Sequence, residues 1–173
     1  MELDIIIAQT HQPLILRADW SRYELILFNI IQNSVKYNVF KGSILFLLRC
    51  LPLKQDFADM LKSGNSYVLE TEIIDTGLGI SEERQKMLFV PFLELKMKQN
   101  LSQVENNSIG MGLTCSSAIA CALGGDITLK KSVRGFTSFA FKIPVKKVGN
   151  GEGQGNGKMS LRHEQLKDYL EKV

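Results

Sequence analysis

The segment that most restricts this 173-residue chain is "YVLETEIIDTGLGI", residues 67–80. Residues 67–74 alternate as a half-buried strand does, and they run directly into Asp75-Thr76-Gly77-Leu78-Gly79-Ile80. An acid at a strand end followed by two glycines has two chemical uses: half of an aspartic protease dyad, or one wall of a nucleotide pocket. The protease needs two such loops, or a symmetric dimer, in a nearly all-β chain. Here there is one Asp-Thr-Gly, at least two segments are helical, and Leu78 stands where the protease expects a small hydroxyl or methyl residue. The protease reading fails. In the nucleotide reading the Asp75 carboxylate accepts a hydrogen bond from an exocyclic amine such as that of adenine. Gly77 and Gly79 let the backbone turn tightly and approach the base.

Two further features belong to the same chemistry. From Asp19, a good N-cap, to about Asn38 the spacing is helical. Trp20, Tyr23, Leu27, Ile30, Ile31 and Val35 form a broad apolar face, while Arg22, Asn29, Asn33 and Lys36 share the opposite stripe. Asn inside a helix costs about 0.5 kcal/mol or more against Ala, so a plainly solvated stripe would favour Glu, Lys or Gln. Two Asn and a Lys suit a metal with phosphates, because a neutral amide oxygen complements Mg²⁺ already held by phosphate oxygens and water. Later, Gly110-Met111-Gly112 opens the helical "LTCSSAIACAL", whose free N–H groups suit phosphate oxygens. The sequence contains no GxxxxGK[ST], so this is not a Walker A loop.

The remaining segments set the fold class. "LDIIIA" (3–8) and "PLILRA" (13–18) read as two short strands joined by a polar turn, and "SILFLLRCLPL" (43–53) as a buried strand. Residues 51–65 form a longer connection with a short helical turn near Phe57–Leu61, and Ser81 is placed to cap a short helix led by Glu82 and Glu83. Residues 93–109 are polar, lack a period and read as a mobile loop. Gly124-Gly125 ends the second long helix, and "DITLKKS" and "FTSFAFKIPV" form a hairpin around Arg134-Gly135. The expected fold is α/β, a two-layer sandwich whose mixed, mostly antiparallel sheet carries about three helices on one face. The domain is expected over 1–147, with a Gly-rich linker at 148–158. At 159–173 follows a C-terminal amphipathic helix or tail with Leu166, Tyr169, Leu170 and Val173 on one face.

Composition excludes more than it names. A net charge of +3 is too small to argue for nucleic acid or membrane binding. No apolar run reaches membrane-span length and no signal peptide is visible, so no direct membrane insertion and a cytoplasmic location are expected. Cys50, Cys115 and Cys121 form no CxxC pair, and the only histidines are His11 and His163. Buried, reduced thiols are the expectation.

The order of motifs resembles that of sensor histidine kinases. "LILFNIIQNSVKYN" (25–38) is similar to their N box, "DTGLGI" (75–80) to their G1 box and "LFVPF" (88–92) to their F box. "GMGLTCSSAIACALGGDITLKKS" (110–132) resembles their G2 box, helix and following strand, and "RGFTSFAFKIPV" the closing strands. The resemblance covers roughly residues 3–145 in unbroken order. It implies the Bergerat-type sandwich shared with gyrase-like, MutL-like and chaperone ATPases. It further implies a Mg-ATP-binding catalytic domain of a two-component kinase, passing the γ-phosphoryl group to a His on a separate phosphoacceptor hairpin. A response regulator, in cis or in trans, is the onward partner.

Carried onto this sequence, the resemblance makes Asn33 the Mg²⁺ ligand, with Asn29 supporting the phosphate side. Lys36 touches phosphate and Tyr37 packs near the nucleotide. Asp75 reads the adenine amine, while Gly77, Gly79 and Ile80 line the base. Gly110, Met111, Gly112 and Leu113 form the hinge and phosphate-binding turn of an ATP lid (93–109), anchored by Phe89 and Phe92. Hydrolysing relatives place a Glu four residues before the metal Asn as general base. Asn29 cannot take a proton, which favours transfer over hydrolysis. The family's third G2 glycine is replaced by Thr114, whose Cβ is expected to crowd the helix start. The upstream hairpin has no counterpart in these residues, and His163 lies on the wrong side of the domain for that role. The alternative reading is a degenerate nucleotide-binding module serving as a regulator or scaffold.

Overall fold

The structure, a computed structural model, describes residues 2–7, 15–52, 66–90 and 111–148. In chain order the elements are β1 (Glu2–Ile7), β2 (Leu16–Arg17), α1 (Trp20–Lys36), β3 (Ser43–Pro52) and β4 (Ser66–Asp75). There follow α2 (Glu82–Gln85), α3 (Gly112–Ala122), β5 (Asp126–Val133) and β6 (Phe136–Lys147). The strands make one six-stranded sheet in the order β1-β3-β4-β6-β2, with β5 also pairing with β6. Only β1 and β3 are parallel; every other pairing is antiparallel. The mixed, mostly antiparallel sheet is the one expected.

Alternation along the strands explains the two-layer arrangement. Ile44 and Phe46 of β3, Leu69 and Ile73 of β4, and Phe139, Phe141, Ile143 and Val145 of β6 share one face. That face is buried against Tyr23, Ile26, Leu27, Ile30 and Ile31 of α1 and Ala120 of α3. Ile26, fully buried, belongs to this helix face as well. On the sheet's other face Arg49 pairs with Glu72 at 2.8 Å, and Ser138 donates to Glu72 at 2.6 Å. Burial pushes the Glu72 carboxyl up, but the Ser138 and Arg49 hydrogen bonds outweigh it and hold the group below its ordinary value. Glu70, Ser138 and Ala140 are buried on this face too, whereas Leu45 and Leu47 of β3 are only half-buried between the buried Ile44 and Phe46 and their neighbours.

The helix ends follow local rules. Asp19 Oδ1 accepts from Arg22 N at 3.1 Å, capping α1. At the end of α3, Gly124 (φ +81°) and Gly125 donate to the carbonyls of Cys121 and Ala120, a Schellman closure. Ser81 precedes α2 in extended conformation but its side chain makes no capping bond, contrary to expectation. The two expected N-terminal strands are present as Glu2–Ile7 and Leu16–Arg17, β1 lying beside β3 and β2 beside the far end of β6. Each closes an open edge of a longer strand, and a two-residue β2 offers too few ladder bonds to hold a hairpin. Cys115 and Cys121 are exposed and Cys50 half-buried, which corrects the expectation of buried thiols. The positions α3 buries are Ser116 and Ala120, so the cysteines fall beside the packed stripe. The expected turn at 57–61, the loop 93–109, Phe92, Gly110 and the tail 159–173 lie outside the described residues, as do His11 and His163. Among the described residues no helix is long and apolar enough to cross a membrane.

The contact that locks α1 to the sheet is polar. Tyr23 Oη and Thr71 Oγ1 are 2.8 Å apart and both residues are buried. Burial pushes the Tyr23 hydroxyl up to about 12, the Thr71 hydrogen bond working the other way. Tyr23→Phe should lower the unfolding free energy by about 1–3 kcal/mol in urea titrations, because it strands a buried Thr71 hydroxyl. Adding Thr71→Val should recover part of the loss; no recovery would show that the hydrogen bond is not the cause.

Candidate functional site

The end of β4 and the second half of α1 meet at a buried carboxylate. Asp75 is 5% exposed; its Oδ1 accepts from Gly77 N at 2.9 Å, and its side chain also hydrogen-bonds Ser34. Burial raises the Asp75 pKa, the Gly77 and Ser34 hydrogen bonds offsetting part of the rise. Ser34 is itself buried among the isoleucines of α1. Through Ser34 the second half of α1 is joined to the Asp75 loop.

The loop after Asp75 is held on three sides. Leu78 N donates to Tyr37 O at 3.0 Å, and Gly135 N donates to Gly77 O at 2.8 Å. Ile80 N donates to Ser132 Oγ at 2.9 Å, and Gln85 Nε2 to Ile80 O at 2.7 Å. Thr76 Oγ1 accepts from Ser43 N at 2.8 Å and donates to Asn38 Oδ1 at 3.1 Å. The glycines are required by contact as well as conformation. A Cβ on Gly77 would stand 2.6 Å from Tyr37 O, and Gly79 combines φ +77° with a Cβ position 2.7 Å from the Val133 carbonyl carbon.

The predicted stripe on α1 divides. Arg22 is exposed and spent on Asp19, at 3.1 Å, away from the others. Asn29 faces α3, donating from Nδ2 to Ser116 Oγ at 3.0 Å and to Gly112 O at 3.3 Å. Asn33 is half-buried beside Ser34, and Lys36 lies 4.8 Å from the centroid of the Tyr37 ring. From Asn29 to Ser34 is about 7.5 Å along the helix axis, so α3 meets α1 one and a half turns from Asp75. α3 begins at Gly112 behind Met111, which supplies no side-chain cap. Its first N–H groups therefore have no acceptor within the helix. Thr114 sits inside this first turn, and its hydroxyl donates to Phe89 O at 3.3 Å. Gly110 and Phe92 lie outside the described residues. Sequence reasoning missed Ser34, Asn38 and Ser132. Ser34 was detectable as the single polar residue on the isoleucine face; Asn38 and Ser132 act through loop contacts that no period reports.

The family model for histidine kinase-, DNA gyrase B- and HSP90-like ATPases matches residues 18–147. This chain belongs to that family. Among curated relatives, the autoinducer 2 sensor kinase/phosphatase LuxQ of Vibrio harveyi is 32% identical over 128 residues, covering 74% of this chain and 14% of LuxQ. The peroxide stress-activated histidine kinase mak2 of Schizosaccharomyces pombe is 28% identical over 151 residues, covering 87% of this chain and 6% of mak2. The chain thus spans a small fraction of the relatives it matches. Among solved structures, full-length ShkA in complex with AMPPNP superposes with TM-score 0.60 at 21% identity, over 86% of this chain and 26% of that one. The catalytic domain of histidine kinase ThkA gives 0.57 at 19% identity, over 83% of this chain and 77% of that one. These likenesses establish the fold.

Burial of Asp75 has a consequence for stability. Its folded pKa lies above the unfolded one, so the folded form holds the proton more tightly and loses stability as pH rises through that window. Asp75→Asn should therefore melt higher than the wild type at pH 7 without ligand. The difference should shrink as pH falls toward the ordinary carboxyl value of 3.8. A variant that melts lower at every pH would show that the carboxylate is structural.

Proposed function

We propose that this domain binds Mg-ATP and supplies the γ-phosphoryl group to a histidine on a separate helical hairpin. The observation that carries the reading is the buried Asp75 carboxylate under the Gly77–Gly79 turn. A group kept charged there against its desolvation penalty is held for a hydrogen-bond donor, and the adenine amine is one. Gly77 and Gly79 leave backbone free of side chains on either side of Leu78, and a planar base can lie against it. The first N–H groups of α3, which have no acceptor within the helix, suit phosphate oxygens.

The residues present fit a magnesium ion of the kind that nucleotides bring. No group of three His, Cys, Asp or Glu side chains gathers among the described residues. A cation at this site would take most of its ligands from phosphates and water, with the Asn33 amide oxygen as the protein's contribution. When bound, it would neutralise charge on the phosphates. Lys36 adds a second positive charge at the end of α1. Asn29 has no basic atom with which to deprotonate water, so positioning and charge neutralisation serve transfer to an incoming imidazole rather than hydrolysis. The phosphoacceptor hairpin and an onward response regulator are the partners this reading requires. The site would work in a cytoplasmic part of a larger sensor protein, with residues 1–147 as the functional unit, 148–158 as linker and 159–173 as a separate tail.

The wild type should bind a non-hydrolysable ATP analogue in calorimetric titration, more tightly with Mg²⁺ than without. Asp75→Asn should abolish binding, and Asn33→Ala should remove the Mg²⁺ dependence while leaving adenosine binding in place. With γ-labelled ATP and a phosphoacceptor hairpin added in trans, label should move to acid-labile phosphohistidine with little free phosphate. Binding without any transfer to such hairpins would favour the regulatory module.

A further inference from the structure

Asn29 is half-buried, and its amide nitrogen is engaged by α3. A side-chain amide has two N–H donors, and the Nδ2 of Asn29 is directed at two acceptors on α3: Ser116 Oγ at 3.0 Å and Gly112 O at 3.3 Å. Ser116 is fully buried, at 0% exposure. It lies in a stripe of small residues, Gly112, Ser116 and Ala120, one helical turn apart, by which α3 meets α1. A Cβ on Gly112 would sit 3.8 Å from the Asn29 side chain, so the two helices are in van der Waals contact at the first turn of α3.

We propose that Asn29 and Ser116 are a positioning pair: together they fix the first turn of α3 against α1, and Asn29 acts on the phosphates through that turn instead of touching them. The proposal rests on the Mg-ATP reading and adds to it a specific division of labour. Asp75 holds the base directly, and the Asn29–Ser116 bond sets where the phosphate-binding N–H groups stand. A bond that served only helix packing would change stability without distinguishing one part of the nucleotide from another.

The test is a double-mutant cycle on the full chain with Asn29→Ala, Ser116→Ala and the double variant, each titrated with adenosine and with a non-hydrolysable ATP analogue. Ser116→Ala is the safer substitution, since Ala120 already occupies the same stripe one turn on. Each single change should weaken the ATP analogue by about three- to tenfold, the worth of one net hydrogen bond, and leave adenosine affinity unchanged. The double variant should be no weaker than Asn29→Ala alone, because both singles break the same bond. Equal losses for adenosine and the analogue, or losses that simply add, would overturn the pair while leaving the nucleotide site standing. A wild type that binds neither ligand would instead sink the reading beneath it. Circular dichroism of each variant shows whether it has folded; if Asn29→Ala has not, Ser116→Ala alone decides the matter.

Discussion

A carboxylate taken out of water at the end of the central strand is the constraint around which this domain is arranged. Desolvation raises the pKa of Asp75, and the Gly77 N–H and the Ser34 side chain offset part of the rise. To deliver the first, the chain must turn back at once, and the space left by Tyr37 O and the Asp75 carboxylate admits no side chain at Gly77. To deliver the second, α1 must place a serine within its isoleucine face. The β5–β6 turn then closes over the loop, with Gly135 donating to Gly77 and Ser132 holding Ile80. A buried polar group of this cost is retained where function needs it.

The rest of the fold delivers α1 to that point. Tyr23 and Thr71 share a hydrogen bond beneath the helix, and Tyr23 packs on Phe141 with ring centroids 5.2 Å apart. With its register on the sheet fixed, α1 presents Ser34 to Asp75 and, about one and a half turns earlier, Asn29 to α3. The base end and the phosphate end of the proposed site are thus spaced by a single rigid element. Small residues on α3 allow the second contact, which explains why that helix buries Ser116 and Ala120 while Leu113 and Ile119 are only half-buried.

What the sequence revealed follows from which interactions are periodic. The apolar face of α1 and the alternation of β4 repeat at a helix or strand period, and the glycine stop after α3 is a local end signal, so all three are legible in one dimension. The glycines at 77 and 79 were legible because chemistry narrows the options at a tight turn. Ser34, Asn38 and Ser132 were not, since each is an ordinary polar residue whose partner is supplied by another element. Which strands the first two would pair with was equally beyond reach. Strand partners are chosen by open ladder edges far away in sequence, and β1 and β2 went to opposite sides of the sheet. Asn29 was recognised as unusual for a helix interior, but only the packing of α3 shows what its amide holds.

The most direct measurement is a crystal structure of the chain with Mg²⁺ and a non-hydrolysable ATP analogue. The account predicts the exocyclic amine of adenine within about 3.2 Å of the Asp75 carboxylate and the base over Gly77–Gly79. The phosphates should lie before the first turn of α3. A nucleotide bound elsewhere, or an Asp75 carboxylate still engaged only with Ser34 and Gly77, would contradict it.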